Sequence, residues 1–185
     1  MKVGLFFGSF NPIHMGHLSI AQYILNETEI ESVHFVVSPQ NPFKEKDELM
    51  QAELRLEMVR ESISDNPHMK ASDIEFNLPL PSYTFQTLEE LSKDESPFQY
   101  SIVMGSDTLE DLPKWKSVES ILDYPIIVFK RKHVFKNPFP DHPNITILDN
   151  PILNISSTLI RKMIAEKKEI KYLVRDEIIN LLNFN

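Results

Sequence analysis

The chain opens with an apolar run, Val3-Gly4-Leu5-Phe6-Phe7. It continues through Gly8-Ser9-Phe10-Asn11-Pro12-Ile13-His14-Met15-Gly16-His17 into Leu18-Ser19-Ile20-Ala21-Gln22-Tyr23-Ile24-Leu25. The first run reads as a buried strand and the last as a helix, so a glycine-bearing turn joins a first strand to a first helix. That succession is the opening of a parallel sheet, whose strands need a crossover, usually helical, before they can pair. The turn then lies at the carboxyl end of the strand, where open parallel sheets bind ligands. Backbone N–H groups at a helix start attract anions, phosphates above all. His14 and His17 are three residues apart and face the same way on a helical turn. Two imidazoles there suit a polyphosphate and can donate to it as negative charge builds.

The rest of the chain repeats the alternation. Strands are expected at residues 33–38, 69–76, 99–104, 126–129 and 145–148. Helical patterns cover 50–64, 83–91 with Ser82 as cap, two short segments of 109–122 split by Pro113, and a stretch ending near 167 capped by Ser156 or Ser157. A final helix covers 174–182. Strands alternating with helices define an α/β fold, a parallel sheet with helices on both faces. The 185 residues show no repeat, low-complexity tract or linker, so residues 1–185 read as a single domain with the C-terminal helices packed onto it.

Composition removes several kinds of function. There is no cysteine, which excludes disulfides, thiolate metal sites and cysteine nucleophiles. The net charge of −8 is opposite to the basic face of a nucleic-acid binder. No apolar run reaches the length of a membrane span, and the first residues lack the pattern of a secretory signal. A cytoplasmic protein without nucleic-acid or membrane partners is therefore expected; oligomeric state leaves no mark in the sequence. The four glycines are concentrated: Gly4, Gly8 and Gly16 lie in the opening segment, and Gly105 follows the apolar run Tyr100-Ser101-Ile102-Val103-Met104. A Gly-x-Gly-x-x-Gly dinucleotide fingerprint and a Walker-type loop are both absent.

A second candidate phosphate site stands near the end. Asn154-Ile155-Ser156-Ser157-Thr158-Leu159-Ile160-Arg161 places hydroxyls at a helix start and an arginine one turn in, so that hydroxyls, N–H groups and a guanidinium converge. Together with the opening string, Ile155-Ser156-Ser157-Thr158-x-x-Arg161 resembles the HxGH nucleotidyltransferases. Three further segments are similar, in order and spacing, to the bacterial nicotinate-nucleotide adenylyltransferases of that superfamily. They are Pro81-Ser82-Tyr83-Thr84-x-x-Thr87-Leu88, Met104-Gly105-Ser106-Asp107 and Leu112-Pro113-Lys114-Trp115. The firm motifs run from Val3 to about Arg161.

The resemblance implies a Rossmann-like nucleotidyltransferase fold and a reaction in which ATP and nicotinate mononucleotide give nicotinate adenine dinucleotide and pyrophosphate. The acceptor phosphate would attack the α-phosphorus directly, without a covalent enzyme intermediate. It implies His14, His17 and Arg161 as catalytic groups, with His14 and His17 on the ATP phosphates. Gly8, Ser9 and Phe10 would line the nucleotide. Gly105 and Asp107 would meet ATP, Asp107 at the ribose or simply as a helix cap. Ser156, Thr158 and Arg161 would grip the β- and γ-phosphates, with Ser157 also at ATP. For the mononucleotide it implies Trp115 as a stacking platform, Thr84 near the ring carboxylate, and Lys44 and Arg131 toward the phosphate. Mg²⁺ would arrive with ATP and need few protein ligands. The sequence departs from the commoner pattern at Asn11, where a carboxylate is usual, at Phe43, where a histidine is usual, and at Arg131-Lys132-His133 in place of Arg-Pro-Gly. The alternatives are another acceptor for the same chemistry, nicotinamide mononucleotide or phosphopantetheine, or a nucleotide-binding module without catalysis.

Overall fold

Short runs rich in β-branched and aromatic residues pair into one sheet in the computed structural model, which describes residues 1–40, 49–93 and 97–183. The strands are β1 (Lys2–Gly8), β2 (Ser32–Val37), β3 (Met69–Ser72), β4 (Gln99–Gly105), β5 (Ile126–Phe129) and β6 (Ile145–Ile147). All pairs are parallel and the order is β3-β2-β1-β4-β5-β6. The chain runs outward from β1 through β2 to β3, then returns to the other side of β1 with β4. That reversal opens a crevice at the carboxyl ends of β1 and β4, where Gly8 and Gly105 end their strands.

Alternation along the strands sends side chains to two cores. Phe6, Val103, Ile127 and Phe129 face one side, packed with α1 (Met15–Glu27), α2 (Ala52–Ser62), α6 (Ser157–Ala165) and α7 (Asp176–Asn183). Val3, Leu5, Ile102, Met104, Ile126 and Val128 face the other, under α3 (Thr84–Ser92), α4 (Ser106–Asp111) and α5 (Val118–Leu122). The strands are apolar on both faces because both are covered, as in other parallel sheets.

Two local expectations change, and a third is met. The strand expected at 69–76 stops at Ser72, and the chain tightens into a 3₁₀ turn, Ile74–Asn77, that carries Glu75 inward. Ser82 does not cap α3. Tyr83 holds the cap position, and the Ser82 hydroxyl donates to Glu75 instead. Pro113 lies inside a 3₁₀ turn, Leu112–Lys114, at its start, where a missing N–H costs no helical bond. The two short helices expected on either side of it are α4 and α5.

Candidate active site

The turn after β1 is built around rings. Phe10 adopts a left-handed backbone (φ 45°), which for a non-glycine residue costs about 1 kcal/mol. Packing offsets it: the Phe10 ring meets Phe6, Phe35 and His17 edge to face, with centroids 5.8, 5.5 and 5.1 Å away. The ring lies over Gly8, where a Cβ would come within 2.8 Å of it. Gly16 has a similar role, since a Cβ there would press on the His14 imidazole at 3.0 Å. The two glycines of the opening motif are thus clearances for Phe10 and His14.

His14 and His17 stack, with ring centroids 3.7 Å apart. The His14 N–H donates to His17 Nδ1 at 3.3 Å. An accepting Nδ1 places the His17 ring proton on Nε2, where it can be donated onward. Burial, helped by the Arg131 charge, pushes His14 down to about 4, so it is neutral at physiological pH. His14 is 2 % exposed. Its Nδ1, and the hydroxyl of buried Ser9, find no hydrogen-bond partner among the described residues. The first N–H of α1, on Met15, is already used by the Leu173 carbonyl at 2.8 Å. The imidazoles, more than the helix start, are therefore the donors this turn offers.

The carboxy-terminal motif is fastened to the same turn. Arg161 Nη1 donates to the Asn11 carbonyl at 2.9 Å, and Ser157 Oγ to the Pro12 carbonyl at 2.9 Å. Ser156 caps α6 by accepting from Leu159 N–H. Two of the three hydroxyls expected at ATP thus have structural partners, while Thr158 is exposed on the first turn. Asn11, where a carboxylate was the commoner residue, accepts the Met50 N–H on its side-chain oxygen at 3.0 Å. An amide serves that bond without burying a charge.

Two neighbouring hollows run from the histidines across the crevice. One of about 140 Å³ is lined by His17, Gly105, Asp107, Thr108, Trp115 and Arg131 among others. Gly105 permits this crowding, because a Cβ there would strike the Asp107 carboxylate and crowd Arg131. Arg131 is held by its N–H on buried Ser106 Oγ at 3.0 Å. The other hollow, of about 350 Å³, is bordered by Gly8, Glu75, Ser82, Tyr83, Thr84 and Trp115. Phe7, Thr108 and Trp115 border both. Trp115 is half-buried, as its loop setting suggested, and Lys116 closes the rim with its ammonium 3.9 Å from the Tyr83 ring centroid.

Of the residues expected at the acceptor, Thr84 and Trp115 meet in the larger hollow. Arg131 borders the smaller one and the histidine groove, beside Lys130 and Ile155. Lys44 lies outside the described residues, as does Phe43.

Two buried charges went unread in the sequence. Arg55 is fully buried and donates to four carbonyls: Ser9 (2.5 Å), Ser38 (2.8 Å), Pro39 (2.7 Å) and Met50 (3.0 Å). Burial pushes it down to about 10, still protonated near neutrality. It bolts the turn after β1 to the chain after β2. Its position was a signal, because Arg55, Met58, Val59 and Ser62 share the buried face of α2. Glu75 accepts from Ser82 Oγ (2.6 Å) and Thr87 Oγ1 (3.0 Å) beneath the larger hollow.

Among the described residues no three His, Cys, Asp or Glu side chains converge as metal ligands, and no helix is long and apolar enough to cross a membrane.

Residues 5–163 match the cytidylyltransferase-like family. The chain is 42 % identical over 183 residues to a protein of Cytophaga hutchinsonii named a probable nicotinate-nucleotide adenylyltransferase, covering 98 % of this chain and 95 % of that one. It is 43 % identical over 181 residues to the protein of the same name from Flavobacterium psychrophilum, covering 96 % and 94 %. Among solved structures it resembles the nicotinic acid mononucleotide adenylyltransferase of Plasmodium falciparum complexed with NaAD. That match has a TM-score of 0.81 and 23 % identity over 100 % of this chain and 98 % of that one, a likeness of fold.

Proposed function

The chain belongs to the nicotinate-nucleotide adenylyltransferases of the cytidylyltransferase-like family, and from that membership we propose how its residues divide the work. The reaction joins ATP to nicotinate mononucleotide and yields nicotinate adenine dinucleotide and pyrophosphate. The observation that carries the division is the clasp of α6 on the turn after β1. Arg161 on Asn11 and Ser157 on Pro12 tie α6 to the same turn that carries the stacked histidines.

ATP lies with its phosphates at that turn. The acceptor phosphate attacks the α-phosphorus in line, and negative charge builds on the departing pyrophosphate. His17 donates from Nε2, and neutral His14 gives a second imidazole. Donors already fixed in place stabilise such charge without reorganisation. Arg161 holds the β- and γ-phosphates, with the hydroxyls of Ser156, Ser157 and Thr158 close by at the start of α6. Arg131, between the histidine groove and the Trp115 loop, suits the point where the two substrates' phosphates meet. Gly8, Ser9 and Phe10 form the floor under the nucleotide, and Gly105 and Asp107 flank its ribose. The carbonyls of Gly8 and Ser9 are already committed to Ser38 N–H and Arg55. The negative ends of those dipoles are thereby occupied away from the phosphates.

The pyridine ring occupies the larger hollow against Trp115, whose π-face favours stacking, with its carboxylate toward Thr84. Lys44 would serve the mononucleotide phosphate from the chain after β2. Mg²⁺ would arrive with the triphosphate and supply charge neutralisation there, needing few protein ligands. The single domain carries the whole reaction, as a cytoplasmic enzyme. Pyrophosphate release by purified protein with ATP tests the reading. Nicotinate mononucleotide is expected to be used far faster than nicotinamide mononucleotide or phosphopantetheine. Faster turnover with phosphopantetheine would end it.

A further inference from the structure

The larger hollow, whose rim carries Lys114 and Lys116, has one acidic wall group, and the chemistry above does not use it. Glu75 is 2 % exposed and borders the hollow beside Ser82, Tyr83 and Thr84. A buried carboxylate is costly unless its oxygens are hydrogen-bonded, and here each oxygen accepts a hydroxyl. Ser82 Oγ donates to Oε2 at 2.6 Å and Thr87 Oγ1 to Oε1 at 3.0 Å. Both hydroxyl residues are themselves buried, Ser82 at 4 % and Thr87 at 0 % exposure. One lies just ahead of α3 and the other one turn inside it, so they bracket Thr84. A single planar group thus fixes the direction in which the chain starts that helix. A carboxylate beside a first helical turn also complements the partial positive charge there.

We propose that Glu75 is a positioning residue that aims the first turn of α3 at the carboxylate of the bound pyridine ring, and so sets the preference for an acid over an amide substituent. The inference rests on the adenylyltransferase reading. Its sign separates it from a simple charge effect. Glu75 acting through its charge would repel an anionic ring, and a neutral replacement would then improve binding of the acid. Glu75 acting by position makes the same replacement weaken it, because an amide nitrogen cannot accept the second hydroxyl and the bracket on Thr84 loosens.

The test is Glu75→Gln in the full chain. Trp115 is the only tryptophan and borders the hollow, so its emission reports occupancy without any need for turnover. The two mononucleotides are titrated separately, and kcat and KM are measured alongside. Glu75→Gln is expected to raise Kd and KM for nicotinate mononucleotide about tenfold, with about threefold or less for the nicotinamide form and KM for ATP within about twofold. Unchanged or tighter binding of the acid overturns the proposal, and so does an equal loss for both mononucleotides. If Glu75→Gln does not fold, Thr87→Val removes one hydroxyl at nearly constant shape. It is expected to lower the acid-to-amide preference about threefold, and an unaltered preference overturns the proposal. Wild-type protein inactive with nicotinate mononucleotide would refute the enzymatic reading. An active wild type beside an indistinguishable Glu75→Gln refutes only the role of Glu75.

Discussion

The phosphate end and the pyridine end of the crevice are built in opposite ways. At the phosphate end, Ser9 Oγ and His14 Nδ1 are buried without partners among the described residues, and the His14 ring is held neutral by burial and by Arg131. At the pyridine end the buried charge, Glu75, has both oxygens satisfied. The first region keeps hydrogen-bonding capacity in reserve for a polyanion, at a cost in stability. The second is complete in itself and presents a shaped hollow to an aromatic ring. Donors that are already desolvated and aimed suit charge that appears only in the transition state. A flat, partly apolar ring needs a cavity with a few fixed polar groups.

Substitutions break the contrast at different strengths. His17→Ala is expected to lower kcat about a hundred- to a thousandfold while circular dichroism stays native, since it removes a positioned donor. Unchanged turnover would take His17 out of the chemistry.

Acid should strike the phosphate end next. The folded-state pKa of His14, about 4, lies below its ordinary value, so the unfolded chain binds the proton more readily. Stability is then full above about 6.5 and falls as pH drops from there through about 4, by on the order of 3 kcal/mol if His14 acts alone. Half-buried His34, also lowered to about 4 by burial and by Lys70, adds to the same slope. Urea melts from pH 7 to pH 4 measure it, and His14→Gln should flatten part of the curve.

Trp115→Ala is expected to raise KM for nicotinate mononucleotide about tenfold while KM for ATP stays within about twofold. Equal effects on both substrates would make Trp115 a packing residue. The smallest effect is the most specific to the contrast. Ser9→Ala removes a buried hydroxyl that has no partner among the described residues and should raise the Tm of the free protein by roughly 2–4 °C, about 1 kcal/mol, while weakening ATP binding. A drop in Tm would mean that the hydroxyl already has a partner.

The two ends also differ in how far the sequence revealed them. The phosphate end is contiguous: strand, Gly8, His14 and His17 fall within one short stretch, and the spacing of the histidines already implied that they face the same way. Arg161 was legible as part of a hydroxyl-rich helix start. That Ser157 would hold Pro12, and Ser156 the α6 backbone, was not, because such a hydroxyl serves phosphate or backbone with the same sequence signature. The pyridine hollow gathers Glu75, Thr84 and Trp115 from three separate segments. Glu75 in particular was hidden inside what read as a strand, and only the tightening after Ser72 brings it beneath α3. The parallel α/β architecture followed from alternation alone. The reversal at β1 that makes the crevice depends on strand order, which alternation does not encode.

The most direct measurement follows the imidazoles themselves. The His14 and His17 ring nitrogens are titrated by NMR with and without a non-hydrolysable ATP analogue, in wild type and in Arg161→Ala. In the free protein His14 is expected to titrate near 4. A bound polyanion favours the charged form, so the saturated complex should titrate clearly higher, and Arg161→Ala should need more analogue to reach it. A midpoint that stays near 4 at saturation would contradict a triphosphate held between the histidines and Arg161.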